Sequence, residues 1–170
     1  MNSKRLKITA IAIIVIIILA SLAIVLWNGS PKPSQARSMI LVADDARTKD
    51  ARYWDQEMVG DENSREQNTT SQAYSDMRNE SISSVEIELL VYNNESNCHS
   101  AFPSMNTTEH PIGDESVYWN SSDHIFLAFR EVNVAVWISL NTVGSYTWLY
   151  ESAVYLAELQ LQKIDQFMSH

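Results

Sequence analysis

An unbroken apolar run near the N-terminus, ITAIAIIVIIILASLAIVLW at positions 8–27, constrains this chain more than any other feature. A helix rises about 1.5 Å per residue, so these residues span about 30 Å, the thickness of the hydrocarbon core of a bilayer. Three basic residues precede the run within positions 1–7, and the next basic residue is Lys32. By the positive-inside rule, we predict a cytoplasmic stub at 1–7, a single-pass membrane anchor at 8–27 and an extracellular remainder.

A cleaved signal peptide is the alternative for this run, because Ala20 and Ala23 would supply small residues near a cleavage site. The apolar core of a signal peptide has only about 7 to 15 residues, whereas this run continues to Trp27. Its length favours a retained transmembrane helix, and both alternatives export the same domain. The next segment, NGSPKPSQAR at 28–37, combines two prolines with small polar residues, so we predict a linker there and a folded domain at 38–170.

Charge is distributed very unevenly along the chain. From Ser34 onward there are eight Lys and Arg residues against 21 Asp and Glu residues, a net charge of about −13. Nucleic-acid binding depends on basic groups that neutralise phosphates, so this charge excludes nucleic acid as a partner. It also disfavours adsorption to anionic lipid headgroups, which leaves the N-terminal helix as the predicted attachment to the membrane.

Six Asn-x-Ser/Thr triplets lie beyond the apolar run, and none has proline in the middle. Random placement of the asparagines would give roughly two such triplets, so the excess predicts a glycoprotein from an archaeal or eukaryotic host. Turn formation by asparagine, serine and threonine is the alternative, and both explanations predict exposed loops. The candidate glycosylation sites are Asn28, Asn68, Asn79, Asn94, Asn106 and Asn120.

Alternation of apolar and polar residues predicts three strands. VEIELLVY at 85–92 places valine, isoleucine and leucine on one face and two glutamates on the other. HIFLAFR at 124–130 and VAVWISL at 134–140 are separated by three residues, which is the spacing of a hairpin. Residues 61–84 contain almost no large apolar side chains, so we predict a long loop or a frayed helix there.

The C-terminal segment at 148–168 has the period of an amphipathic helix, with Ser145 or Thr147 as its N-cap. Its continuous polar face distinguishes it from a second membrane helix. The apolar start and charged end of residues 38–52 predict a short apolar element that leads into another helix. Strands followed by a terminal helix indicate an α+β domain, in which a small antiparallel sheet is covered by the C-terminal amphipathic helix.

Five segments follow one another between residues 85 and 164: VEIELLVYNN, a stretch ending in SAF, PIGDESVYW, IFLAFREVNVAVWISL and YLAELQLQKI. Their order resembles the small extracytoplasmic sensor-type domains of membrane-anchored lipoproteins and receptor kinases of archaea and bacteria. Members of that group carry GDE beside an aromatic residue, a hairpin like FRKGNVVV and a last helix like LAKKQLEKI. The resemblance covers about half of the chain and implies an α+β fold outside the cytoplasm.

Val132 departs from that family pattern, because it stands where the family hairpin has glycine. A β-branched residue disfavours the positive φ angle that a tight hairpin turn requires. We therefore expect either a wider turn in this chain or a looser relationship to the family.

No residue pattern is typical of a catalytic or metal site. The four histidines are far apart in sequence: His99, His110, His124 and His170. Cys98 lies beside one of them, but adjacent residues point in different directions and are poorly placed to chelate a metal. No Gly-x-Ser-x-Gly turn is present, so we predict no enzyme and no cofactor. A hydrolase would require His99 or His124 within reach of a serine and a carboxylate.

Two short features have structural interpretations. Cys98 is the only cysteine, which excludes a disulfide within the chain and predicts either a small buried side chain or a disulfide between chains. Gly113, Asp114 and Glu115 lack the alternating oxygen ligands of a calcium loop. We interpret them as a turn that directs residues 117–119 into the sheet.

The tryptophans are the candidate binding residues. Trp54, Trp119, Trp137 and Trp148 fit either the core, which large aromatic residues favour, or an interaction face. Of these we name Trp119, Trp137 and Trp148 as candidates for binding. The sequence thus predicts a membrane-tethered, noncatalytic, sensor-like domain that binds a protein or a small ligand through its sheet face or adjoining loops. The alternative is a structural, glycosylated component of the cell envelope.

Overall fold

A computed structural model of the chain describes residues 36–47, 54–62, 67–103, 111–121, 123–142 and 149–169. The predicted membrane anchor at 8–27 lies outside these residues. Among the residues that are described, no helix combines the length and the apolar composition that a bilayer crossing requires. They form an α+β fold with an antiparallel sheet and a C-terminal helix, as the sequence predicts.

Six strands form the sheet, and every neighbouring pair in it is antiparallel. Their spatial order is β1-β2-β3-β6-β5-β4. The strands are β1 Asp55–Glu62, β2 Thr69–Arg78, β3 Ser84–Tyr92, β4 Glu115–Asn120, β5 His124–Glu131 and β6 Val134–Asn141. The helices are α1 Ala36–Met39, α2 Ala43–Arg47, α3 Glu95–Ala101 and α4 Leu149–Met168.

The three strands predicted from alternation are confirmed as β3, β5 and β6, and the predicted C-terminal helix is α4. β3 lies in the interior of the sheet, between β2 and β6. Its residues Val85, Ile87 and Leu89 are buried on one face, whereas Glu86 is exposed on the other. This arrangement explains the alternation, because successive side chains of a strand point to opposite faces.

The prediction of a loop or frayed helix at 61–84 is wrong, because most of that segment forms β2 and the end of β1. β2 buries alternate residues, Ala73, Ser75 and Met77. Two of these three side chains are small, so the segment has low hydropathy although it alternates as a strand should. The strand was missed because burial here does not require large apolar residues.

The apolar segment at the start of the domain forms α1, a short connection and α2. Met39, Ile40 and Leu41 are all buried, as the predicted apolar element requires. α1 begins at Ala36, whose side chain is also buried, within the segment predicted as linker. The folded structure therefore starts before residue 38.

One face of the sheet carries the main core, which α1, α2 and α4 cover. α4 contributes Leu156 and Ile164 together with Ala153 and Ala157, whose small side chains let the helix approach the strands closely. Burial of each large aliphatic side chain stabilises the fold by about 1.5–3 kcal/mol. The strand residues in this core include Val85, Ile87, Leu89, Val91, Ile125, Leu127, Val134, Val136, Ile138 and Leu140.

Gln160 of α4 fixes the N-terminal segment to the C-terminal helix. Its buried amide accepts a hydrogen bond from the backbone N–H of Leu41 (2.7 Å) and donates one to the carbonyl oxygen of Met39 (2.7 Å). One turn further, Lys163 Nζ donates to the carbonyl oxygen of Ile40 at 2.7 Å and pairs with Asp45. These contacts supply hydrogen-bond partners for backbone groups of residues 39–41, which would otherwise lack partners in a helix or a strand.

We expect Gln160→Leu to lower the free energy of unfolding by about 2–4 kcal/mol, because it leaves a buried N–H and a buried carbonyl without partners. Urea denaturation followed by circular dichroism measures this change. Gln166→Leu, at an exposed position of the same helix, is the control and should change stability by less than about 0.5 kcal/mol. Equal effects of the two variants would contradict the proposed role of Gln160.

The β5–β6 hairpin has a two-residue turn, Val132 and Asn133, since Glu131 pairs with Val134. Val132 has a φ angle of 53°, so the turn is tight and the wider turn considered above is wrong. Asp114 Oδ2 accepts a hydrogen bond from the backbone N–H of Val132 at 2.9 Å, which helps to hold this conformation. The valine therefore occupies a backbone conformation that favours glycine.

We expect Val132→Gly to raise the free energy of unfolding by about 1 kcal/mol, because it removes the clash that a β-branched residue makes at positive φ. Thermal and urea denaturation measure the change, and Val132→Ala should give a smaller gain. A loss of stability in Val132→Gly, as at an ordinary strand residue, would show that the turn is not strained.

Candidate functional site

The second face of the sheet is only partly covered by the described elements. At one end, Cys98 of α3 and Phe102 pack with Leu90, Tyr92 and Ala135. We call the remaining part of this face the open face. It consists of Tyr74, Asp76, Glu86, Glu88, Trp119, His124, Phe126, Trp137 and Ser139.

Two rows of paired residues cross this face from β1 to β4. The first row is Met58, Asp76, Glu86, Ser139, Phe126 and Trp119. The second row is Gly60, Tyr74, Glu88, Trp137, Ala128 and Val117. Strands are about 4.8 Å apart, so a row of six residues extends roughly 24 Å. The β2 and β3 side is acidic, whereas the β4 to β6 side is aromatic.

The aromatic half is centred on Trp119, which is 53% exposed although it lies on a strand. Its ring lies edge-on to His124, with 5.7 Å between the ring centroids. His124 Nε2 is 2.9 Å from Ser139 Oγ, which fixes the imidazole on the face. Phe126 pairs directly with Trp119, and Trp137 lies half-buried beside them on β6. These side chains form a partly exposed aromatic surface.

The four tryptophans thus have different positions. Trp54 is buried in the core, as large aromatic residues favour. Trp119 and Trp137 share the open face, and Trp148 lies outside the described residues. The interpretation that residues 117–119 point into the sheet holds for Val117, which is buried, but is wrong for Trp119. Strand alternation places both on one face, and only the Val117 end of that face is covered by α3.

The acidic half contains two carboxylates in directly paired positions, Asp76 on β2 and Glu86 on β3. Like charges that face each other across strands destabilise a sheet. Burial, and secondarily the charge of Glu57, raises the pKa of Asp76 above its usual value. The nearby cation, Arg78, forms its ion pair with Glu57 at 2.8 Å. No ion pair within the described residues involves Asp76 or Glu86.

The predicted turn at residues 113–115 is confirmed for Gly113 and Asp114, whereas Glu115 is already the first residue of β4. Gly113 has a φ angle of 63°, and a β-carbon there would overlap the carbonyl oxygen of Arg130. Arg130 donates to Asp114 Oδ2 at 3.2 Å and to Glu115 Oε1 at 2.8 Å. The hydrogen bond from Arg130 is the main cause of the lowered pKa of Glu115, which also contacts His99 Nδ1 at 2.7 Å. A buried arginine of the chain therefore neutralises these carboxylates.

The histidines that are described have separate partners. His99 contacts the carboxylate of Glu115, and His124 contacts the hydroxyl of Ser139. Neither has both a serine and a carboxylate within hydrogen-bond distance in the described part of the chain. His110 and His170 lie outside it. Among the residues that are described, no three His, Cys, Asp or Glu side chains are grouped so that they would hold a metal ion.

Cys98 is buried beneath α3, with no exposed surface. Burial raises the pKa of its thiol to about 12, so the thiol is neutral at physiological pH. Only the thiolate attacks a disulfide or an alkylating agent. Of the two alternatives for this residue, the position favours a small buried side chain over a disulfide between chains.

Three candidate glycosylation sites are exposed. Asn68 lies just before β2, Asn94 caps the N-terminus of α3 through its side-chain oxygen, and Asn120 is the last residue of β4. Asn120 is therefore at a strand end rather than in a loop. Asn28 and Asn106 lie outside the described residues.

Asn79 differs from these three sites. Its Oδ1 accepts hydrogen bonds from the backbone N–H groups of Ser81 (2.9 Å) and Ile82 (2.8 Å), which shapes the β2–β3 turn. Its Nδ2, the atom to which a sugar would be attached, is buried. The expectation of an exposed position is thus wrong for Asn79, whose side chain serves the turn instead.

Sequence reasoning placed Glu86 and Glu88 on one strand face but missed the β2 part of the acidic half. Asp76 and Tyr74 lie in the segment predicted as a loop, so no face was assigned to them. The usable signal was the alternation of Ala73, Ser75 and Met77 with polar residues between them. Period alone, without a requirement for large side chains, would have placed Asp76 on a strand face.

Comparisons of the chain with protein-family models, with curated proteins and with solved structures gave no match. The resemblance to sensor-type domains thus remains a prediction from five sequence segments. The candidate site is supported by the geometry of the open face alone.

We expect Asp76→Asn to raise the free energy of unfolding at pH 7 by about 0.2–1 kcal/mol, because it removes a partly buried carboxylate beside the like charge of Glu57. The pKa of Asp76 is higher in the folded chain than in the unfolded chain. Its contribution to the stability of the fold is therefore fully present below the pKa that it has in the unfolded chain, and is lost as the pH rises through the pKa that it has in the folded chain. The gain should therefore disappear at about pH 3, where Asp76 is protonated in both states. Thermal denaturation at the two pH values measures both effects.

Glu158→Gln, at an exposed position of α4, is the control for the loss of one negative charge. It should show no comparable difference between the two pH values. If Asp76→Asn were destabilising at pH 7, the carboxylate would have a favourable partner and the description of an uncompensated charge would be incorrect.

Proposed function

We propose that this chain is a membrane-tethered, noncatalytic binding protein that recognises its partner through the open face of an extracytoplasmic domain. The single observation that carries the proposal is the row that joins the exposed Trp119 and the half-buried Phe126 with Asp76 and Glu86. Two parts of this row differ from an ordinary solvated strand face. One part exposes aromatic surface, and the other holds two carboxylates that form no ion pair with a described residue.

The aromatic end supports binding because tryptophan is enriched at protein interfaces and contributes strongly to their affinity. Single apolar residues on a surface are common, but contiguous aromatic residues indicate an interaction site. Trp119, Phe126 and Trp137 lie on neighbouring strands and are contiguous in this sense. Their ring surfaces remain partly in water in the isolated chain.

The acidic end supports binding because burial and the like charge of Glu57 disfavour the ionised carboxylate of Asp76. A local arrangement that costs stability is expected where residues serve a function rather than the fold. Asp76 and Glu86 meet this criterion, since neither forms an ion pair with a described residue. A partner that supplies positive charge would remove this unfavourable electrostatic contribution.

The membrane tether and the location of the domain rest on the sequence. The apolar run at 8–27 follows three basic residues, which favours an anchor with its N-terminus in the cytoplasm. The exposed positions of Asn68, Asn94 and Asn120 are compatible with attached sugars outside the cell. These features support an anchored glycoprotein with its C-terminal domain on the extracellular side.

A structural component of the cell envelope is the second candidate. It is favoured by the exposed Asn-x-Ser/Thr sites and by the net charge of −9, both of which would hydrate a surface. Such a role requires no particular residue on the open face. The two candidates therefore differ in whether Trp119 has a defined neighbour in the cell.

Photo-crosslinking from the open face tests the proposal. The full chain, with a C-terminal tag and p-benzoylphenylalanine at position 119, is produced in cells of its source organism and irradiated before the membranes are isolated. We expect the tag in the membrane fraction, its removal by protease added to intact cells, and one discrete crosslinked product. The control carries the same photoreactive residue at position 158, on the exposed side of α4, and should give no such product.

Two results would count against the proposal. Tagged protein found only in the soluble cytosolic fraction would refute the tether and the extracellular location. Membrane-bound protein that gives the same crosslinking pattern from positions 119 and 158 would refute a specific role of the open face and would favour the structural candidate.

A further inference from the structure

We infer that the partner of the open face is an extended, basic polypeptide segment, whose arginine or lysine side chains contact both halves of the face. This inference rests on the proposed function, because it specifies what the open face binds. It is derived from the shape of the face, the chemistry of its two halves and the charge of the whole chain.

The shape of the face favours a polypeptide over a small ligand. Small-molecule sites are concave and enclose most of the ligand surface. The open face is instead a strand surface that is about 19 Å wide from β2 to β4, given the usual spacing of strands. A depression of about 340 Å³ lies elsewhere, next to α3, and is lined by Gln67, Asn68, Asn97, Ser100 and Ala101.

The aromatic half matches the chemistry of a guanidinium or ammonium group. Cations bind over the faces of aromatic rings, most strongly over tryptophan, and arginine does so more often than lysine. Trp119 is exposed, and its contact with His124 is edge-on at 66°. Phe126 and Trp137 provide further aromatic surface at paired and diagonal positions. Apolar stems of long basic side chains would pack on the same surface.

The acidic half supplies the complementary charge. Asp76 and Glu86 are directly paired, and Glu88 lies two residues along β3 on the same face. An extended segment advances about 3.3 Å per residue, so roughly seven residues would cross the face from Trp119 to Asp76. Such a segment would place one basic side chain on the aromatic half and another between the carboxylates. Its binding would place positive charge beside Asp76 and Glu86.

The charge of the whole chain selects the same class of partner. A net charge of −9 attracts basic molecules over long distances and repels acidic ones. This attraction is screened by salt, since the Debye length is only about 8 Å at physiological ionic strength. Binding of a basic segment should therefore weaken as the salt concentration rises.

The test uses the full chain in nanodiscs of zwitterionic lipid and a fluorescein-labelled octapeptide of alternating arginine and serine. Fluorescence anisotropy should show saturable binding of this peptide and none of the glutamate–serine analogue. We expect the double variant Asp76→Asn, Glu86→Gln to weaken binding about tenfold and Trp119→Ala to weaken it to a similar extent. The matched control, Glu151→Gln with Glu158→Gln on α4, removes the same charge and should leave the affinity within about twofold.

Several results would overturn the inference. Absence of saturable binding of the arginine–serine peptide would do so, as would equal losses of affinity in the two double variants, because the attraction would then be nonspecific. Competition by spermine at the concentration at which the unlabelled peptide competes would show that a small polyamine suffices.

The crosslinking experiment separates failure of this inference from failure of the proposed function. If the peptide does not bind but position 119 still gives a discrete crosslink in membranes, the partner is not a basic segment and the proposed function stands. If neither the peptide nor the crosslink is observed, both are refuted.

Discussion

The sheet is wider than a single helix, and this difference determines how much of each sheet face the helices cover. Six strands spaced about 4.8 Å apart form a surface roughly 24 Å wide, whereas one helix with its side chains is about 10–12 Å across. The long helix α4 contacts β5 and β6, and α1 continues the cover over β1 to β3 on the same face. Of the helices that the structure describes, the seven-residue α3 packs on the second face, at one end of it. A partly exposed sheet face follows from this allocation of helices.

The parts of the fold that the sequence predicts are those with a clear period in large apolar residues. β3, β5, β6 and α4 each bury a row of valine, leucine or isoleucine and were predicted within a few residues of their observed bounds. β2 buries Ala73 and Ser75, and β1 contains Gly60, over which the ring of Tyr74 lies. Small buried side chains satisfy the packing of these strands but give no hydropathy signal, so Tyr74 and Asp76 of the open face fall in a segment predicted as a loop.

The exposure of Trp119 was not predictable for a different reason. The sequence shows that Val117 and Trp119 share a strand face, but it does not show how far along that face the cover of α3 extends. The prediction of a turn in the GDE segment is confirmed for Gly113 and Asp114, and the structure shows which groups the segment holds. Asp114 and Glu115 hold Arg130, and Asp114 also holds the strained residue Val132. The GDE segment thus serves the fold, whereas most residues of the open face lie in the other segments that carry the resemblance, and only Tyr74, Asp76 and His124 lie outside all five.

The contacts of Gln160 and Lys163 have a mechanical consequence. They attach the first described residues of the chain to the last helix, while the exposed ion pair of Arg37 with Asp61 attaches α1 to the edge strand β1. A pulling force that arrives from the N-terminal side is therefore divided between α4 and the edge of the sheet. The buried hydrogen bonds to α4 would bear the part of that load that the solvated ion pair does not resist.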